Sequence, residues 1–189
     1  MNLRVNKKTG FYCQDENILI FDDKGQIFYE RKSDRKNNAF NLPKGNYRTA
    51  NTLKKLSKPV SYSFPTLPQP ERNGILPKKV ILRKGDNPNK CSIVRDDRRR
   101  IAVIFADHAI FNLPRREKEV IMYHELGHCF YQTESKCDLF AAYHLIKKGY
   151  NPSQLAMSIF NSLSDGAIDR KCEISDFMQK VKMNNHGRK

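Results

Sequence analysis

Tryptophan is absent from this 189-residue chain, and its five cysteines contain no Cys-x-x-Cys pair. Cys13, Cys91, Cys129, Cys137 and Cys172 are odd in number and widely scattered. That pattern argues against a disulfide framework or a cysteine zinc knuckle and fits reduced thiols. Cys129 and Cys137 are read as packing residues. No apolar run approaches the ~20 residues needed to span a bilayer. The basic start, Met1 to Lys8, lacks the apolar stretch of a secretory signal. The expectation is a soluble protein made in the cytoplasm, with no membrane contact. Neither a helix-turn-helix nor an internal repeat is legible.

What is abundant is positive charge, a formal +15. Residues 1–112 hold 23 Lys and Arg against 11 Asp and Glu, and residues 113–189 hold 12 against 9. The excess therefore sits in the N-terminal half, at +12 against +3. Such a surface suits an assembly partner, or non-specific contact with nucleic acid, although no recognition motif accompanies it. With 39% hydrophobic residues, the chain has material for one modest core, or a core with a small appended module.

Local patterns predict an α+β protein, β-rich first and helical afterwards. Residues 17–30 read as a hairpin, with Ile18 to Phe21 and Gln26 to Tyr29 flanking the turn Asp22-Asp23-Lys24-Gly25. A basic polar stretch follows, from Arg31 to Asn38. Pro59, Pro65, Pro68, Pro70 and Pro77 forbid a long helix and predict an extended connector. The division expected is residues 1–78, basic and β-rich or extended, then residues 79–189. Residues 80–111 read as β structure, with strands at Val80 to Arg83, Ser92 to Val94 and Ile101 to Phe105. About four helices should follow: Pro114 to Tyr131, Thr133 to Gly149, Asn151 to Ser164-Asp165-Gly166, and Ala167 to Met183. The tail Asn184 to Lys189, with His186, is read as frayed and inert.

The first of these helices carries His124-Glu125-Leu126-Gly127-His128. Residues four apart share one helix face, so both imidazoles can be aimed at a single zinc ion. Glu125, beside the first histidine, can take the proton of the attacking water as general base. Gly127 allows a neighbouring element to approach closely. The apolar neighbours Val120, Ile121, Tyr123, Leu126 and Phe130 argue that this helix is buried, where unpartnered histidines would be costly.

A catalytic zinc needs a third protein ligand and an open position. Glu134, Asp138 and His144 are the downstream candidates. In a tight helical hairpin, Glu134 lies level with His128 and Asp138 one turn deeper, nearer His124. Glu134 is then the third ligand and Asp138 the acceptor that fixes a histidine tautomer. The swapped assignment, with Asp138 on the metal, stays open. His144 is read as packing. Tyr131, Tyr143 and His108 are the candidate oxyanion donors, and each also has a structural reading.

His124-Glu125-Leu126-Gly127-His128, followed by Glu134-Ser135-Lys136-Cys137-Asp138-Leu139-Phe140-Ala141-Ala142, resembles the gluzincin clan of zinc metallopeptidases. Lys148-Gly149-Tyr150-Asn151-Pro152 resembles the helix end seen in the CAAX prenyl protease type. The likeness covers about residues 100–165. Cys137 stands where that type usually has alanine, a change expected to matter little. The six-residue step from His128 to Glu134 is shorter than in most gluzincins. In that compactness the chain resembles zincin-like proteins of phages of Bacteroidetes, including crAss-like phages. The resemblance implies a minimal zincin core of a strand plus about four helices in residues 79–189. It also implies a zinc-dependent endopeptidase acting on a protein partner in the host-cell cytoplasm or on the virion. The competing expectation is a virion or assembly protein that keeps a zincin fold and docks through its basic half.

Overall fold

A computed structural model describes residues 1–32, 39–85, 91–163 and 167–184. The basic stretch from residue 33 to Asn38, the helix stop at residues 164–166 and His186 lie outside the described residues. The architecture is α+β, with 12 strands and 5 helices among the described residues.

The N-terminal half is built of short antiparallel strands. β1 (Asn2–Val5), β3 (Asn17–Asp22), β4 (Ile27–Lys32) and β6 (Gly45–Thr49) form one sheet in the order β1-β6-β3-β4. β2 (Thr9–Cys13), β5 (Ala39–Leu42) and β7 (Leu53–Lys55) form a second, in the order β5-β2-β7. The expected hairpin is β3–β4, with Asn17 opposite Lys32 and Phe21 opposite Ile27. Asp22 is buried at its turn, where Oδ1 accepts from the Lys24 and Gln26 amides, both at 2.9 Å. Alternation along β3 buries Ile18 and Ile20 and leaves Leu19 and Phe21 partly exposed.

The proline-containing connector is extended, as expected. Asn41 pins its start, accepting from the Val60 amide and donating to the Val60 carbonyl, both at 2.8 Å. β8 (Tyr62–Ser63) pairs with β12 (Lys182–Met183) at the far end of the described chain. Beyond the connector, β9 (Lys79–Lys84), β10 (Ser92–Asp96) and β11 (Ile101–Ala106) form a sheet in the order β10-β11-β9. β9 and β11 are parallel and β10 is antiparallel to β11, so β10 is an edge.

The expectation of β structure through residue 111 is corrected at its end. Asp107 caps a short helix, α1 (His108–Asn112), by accepting from the Ile110 amide at 2.8 Å. α2 (Arg115–Gly127) stops short of Tyr131, because the chain turns at His128 to start α3 (Glu134–Lys148). Gly149 ends α3 in the left-handed conformation, φ 118°, as the glycine and its preceding cations led one to expect. Asn151 caps α4 (Pro152–Ser162) through the Ser153 and Gln154 amides. α5 (Ile168–Lys180) ends before Met183 because Lys182 and Met183 join β8.

α3 lies between two apolar clusters. On one side Ala142, Leu145 and Ile146 share a core with Ile20, Phe40 and Tyr47 of the strands and with Leu155, Ile159 and Ile174 of the later helices. On the other, Cys137 and Phe140 pack with Ala102, Ile104, Leu126 and Tyr131. The start of α3 is thus held against α2 by burial on both flanks.

Because strands and helices share one core, a cavity in it should weaken both. Leu145→Ala is expected to lower stability by about 2–5 kcal/mol. Chemical denaturation followed in parallel by tyrosine fluorescence and far-UV circular dichroism should show one shifted transition for both signals.

Candidate metal centre

His124 lies on the last turn of α2 and His128 is the residue that caps its C-terminus. A Cβ added to Gly127 would stand 2.8 Å from the Cα and 2.9 Å from the Cβ of Cys137. Only glycine permits that approach, and the element that makes it is α3. The turn from His128 to Thr133 is closed by the Phe130 and Tyr131 amides, which donate to the Gly127 carbonyl at 2.8 and 2.9 Å.

The connector straps this turn from outside. The Glu71 and Arg72 amides donate to the Phe130 carbonyl, and the Arg72 guanidinium donates to the His128 carbonyl at 2.9 Å. Glu71 accepts from the Gln132 amide at 2.8 Å and pairs with Lys136. The proline-rich segment therefore helps to fix the hairpin that carries the site.

Glu134 opens α3 directly opposite the histidines. Its Oε2 is 3.1 Å from His124 Nε2 and its Oε1 is 3.4 Å from His128 Nε2. Ligands bound at about 2.0–2.1 Å around a tetrahedral metal stand ~3.3 Å from one another. One ligand atom from each of His124, His128 and Glu134 lies within 4.8 Å of the others, so the three could hold a metal ion. The Glu134 side chain is 55% exposed against 14% for His124, so the group opens to solvent on the glutamate's side.

Asp138 sits on the other edge of His124, its Oδ1 2.7 Å from Nδ1. This geometry separates the two carboxylates, Glu134 on the Nε2 side and Asp138 on the Nδ1 side. Asp138 is buried and also receives Arg170 of α5, with Nε at 2.8 Å from Oδ2 and Nη2 at 3.1 Å from Oδ1. Arg170 Nη2 lies 3.6 Å from Glu134 Oε2 as well.

Charge follows geometry. Burial pushes the Asp138 carboxyl upward, but hydrogen bonds from His124 and Arg170 outweigh it and hold the group below its ordinary range. Burial acts to lower His124, and Asp138 with Glu134 and Glu125 overcomes it and raises the imidazole. The negative field that favours a proton on His124 equally favours a metal cation at Nε2. Glu125 is half-buried and raised chiefly by that burial, against the pull of His124 and His128. It lies near Cys91, the residue before β10, whose thiol burial, Glu125 and Asp107 push up to about 12.

Cys137 is fully buried, with Sγ 3.4 Å from His128 Nδ1. Its thiol is pushed up to about 12 by burial and then by Glu134, Asp138 and Glu125. Arg170 and this cysteine contact are what sequence reasoning missed. Arg170 lies 32 residues beyond Asp138 and belongs to no motif.

The other residues named from sequence make their side-chain contacts with partners outside the ligand group. Tyr131 is buried, and its hydroxyl donates to the Pro68 carbonyl at 2.9 Å. Tyr143 packs edge-on to Phe64 and under the Lys147 ammonium. His108 is exposed at the start of α1, with Nδ1 2.8 Å from Asn112 Nδ2. His144 packs against Phe140, Tyr123 and Tyr143, and burial together with Lys147 pushes it down to about 4.

No family model matches this chain, and no curated protein or solved structure does either.

The His144 environment generates a pH prediction. An imidazole with a depressed folded pKa contributes stability that is complete above its unfolded value of ~6.5 and lost as pH falls toward about 4. Between pH 7 and pH 5 this contribution acts to lower the denaturation midpoint, while the raised His124 acts the other way. His144→Phe should therefore lose less stability, or gain more, than the wild type over that window, and identical pH profiles would remove His144 as a contributor.

Proposed function

We propose that this chain is a zinc-dependent endopeptidase acting on a protein partner, with His124, His128 and Glu134 as metal ligands and Glu125 as general base. The observation that carries the reading is the convergence of both Nε2 atoms on the Glu134 carboxylate, next to a half-buried Glu125 on the same helix. Two imidazoles and one carboxylate form a donor set suited to catalytic zinc, and the exposure of Glu134 leaves an approach from solvent. When bound, zinc supplies Lewis acidity, polarising a carbonyl and bringing the pKa of water to ~7.

The remaining chemistry belongs to the chain. Glu125 accepts the proton of the attacking water and returns it to the leaving amine. Asp138 accepts from His124 Nδ1, which leaves the Nε2 lone pair for the metal. Arg170 neutralises Asp138 and keeps it from competing for the cation. β10 runs beside α2 as the edge of its sheet. An extended polypeptide could add to that edge through backbone hydrogen bonds, which supports a peptide substrate over a small molecule.

A second reading rests on charge. Arg4 and Arg48 are exposed on adjacent strands β1 and β6, and Lys54 and Lys55 on the edge strand β7. This basic half is suited to docking on an assembly partner, a virion component among them, or on nucleic acid. The two readings can hold in one molecule.

Glu125→Gln separates an enzyme from a protein that only binds metal. In a mixed synthetic peptide library followed by mass spectrometry, the zinc-loaded wild type should cleave. The variant should cleave about 10²–10⁴-fold more slowly while keeping its zinc. Cleavage undiminished in the variant removes Glu125 as base, and no cleavage by zinc-loaded wild type removes the enzyme. For the second reading, affinity for a random DNA duplex should fall linearly on a logarithmic salt scale. Absence of binding at 50 mM salt, or binding indifferent to salt, would retire nucleic acid as the partner.

A further inference from the structure

The two motif histidines are supported in different ways. His124 has a carboxylate on Nδ1, and that carboxylate is itself held by Arg170. His128 has a sulfur. Cys137 Sγ is 3.4 Å from His128 Nδ1 and 4.0 Å from the Tyr131 carbonyl, and the cysteine is fully buried.

A thiol has one weak donor and weak acceptor capacity, so these two contacts can be satisfied together. With the S–H directed at the Tyr131 carbonyl, the sulfur is left to accept from the imidazole. Only one histidine tautomer is compatible with that direction, the one carrying its proton on Nδ1 with a lone pair on Nε2. Nε2 is the atom that faces Glu134. The packing that fixes the sulfur is tight, because the Gly127 backbone rests directly on Cys137 Cα and Cβ. Glycine on α2 and cysteine on α3 thus form one device, in which the close approach brings the sulfur to the ring.

We propose that Cys137 is a positioning residue for His128, holding its ring and tautomer so that Nε2 is presented to the metal. An alanine at this place would have no such group. The inference rests on the zinc reading above and adds to it a role for a residue whose sequence position suggested packing alone.

Metal-free protein in a Glu134→Ala background tests the contact without any loaded enzyme and without the carboxylate that otherwise faces His128 Nε2. Imidazole nitrogen shifts of His128, measured there by NMR above the pH at which the ring is neutral, should report a proton on Nδ1 while Cys137 is present. Cys137→Ser, which keeps a donor and an acceptor, should retain that tautomer, and Cys137→Ala should give a mixture. In competition with a zinc chelator, Cys137→Ala should bind zinc about tenfold more weakly, in the range found for lost ligand-supporting groups. Cys137→Ser should stay within about threefold of the wild type, by the same scale.

The proposal is overturned if His128 carries its proton on Nε2 in the Glu134→Ala background with Cys137 present, or if Cys137→Ala alone binds zinc as tightly as the wild type does. The first measurement leaves Cys137 in place, so it can refute the proposal even where Cys137→Ala does not fold. An Nδ1 tautomer in that background together with a wild type that binds no zinc would sink the metal reading, and with it the function proposed for the contact.

Discussion

The contact between Gly127 and Cys137 governs the geometry of everything around it. Two helices rarely pass with backbone against Cα, and here a single added Cβ would make the passage impossible. Because α2 and α3 meet so closely, a turn of a few residues is enough to reverse the chain. Glu134 then faces both histidines from the first turn of α3, and Asp138 reaches the back of His124 from the second. A longer loop or a wider crossing would move the carboxylates away from the imidazoles by ångströms. The apolar flanks of α3 and the strap formed by residues 68–74 oppose any such widening.

Electrostatics then divides the carboxylates into separate tasks. Asp138 is buried and bound to a guanidinium, so its charge is committed to orienting His124. Glu134 is exposed and has only a distant contact with Arg170, so its oxygens stay turned to the histidines. Glu125 is withdrawn from solvent, and that burial raises it. Three acids on two facing helices thus differ in environment, and under the proposed function each would have its own part.

Much of this was legible in the residues. The four-residue histidine spacing placed both rings on one face, and the Glu134–Asp138 spacing placed two acids on the facing helix. The proline and asparagine before α4 and the glycine after α3 marked helix ends that the structure keeps. Strands with clean alternation, β3 and β11, were readable, whereas β1, β6 and β7 mix asparagine, arginine, glycine and lysine and give no period. Arg170 and the strap at Glu71 were not readable at all. They act across 32 and 65 residues, and no local pattern encodes a partner at that separation. Cys137 was visible as a residue but not as a neighbour of His128, since that proximity depends on the helix crossing itself.

The central claim is that this hairpin binds a metal through His124, His128 and Glu134, and zinc stoichiometry tests it most directly. Protein refolded with zinc and dialysed against buffer should retain one zinc per chain. X-ray absorption should give nitrogen and oxygen ligands at about 2.0–2.2 Å. His128→Ala and Glu134→Ala should each lose the ion while remaining folded. Substoichiometric zinc in the wild type, or full retention in both variants, would contradict the account.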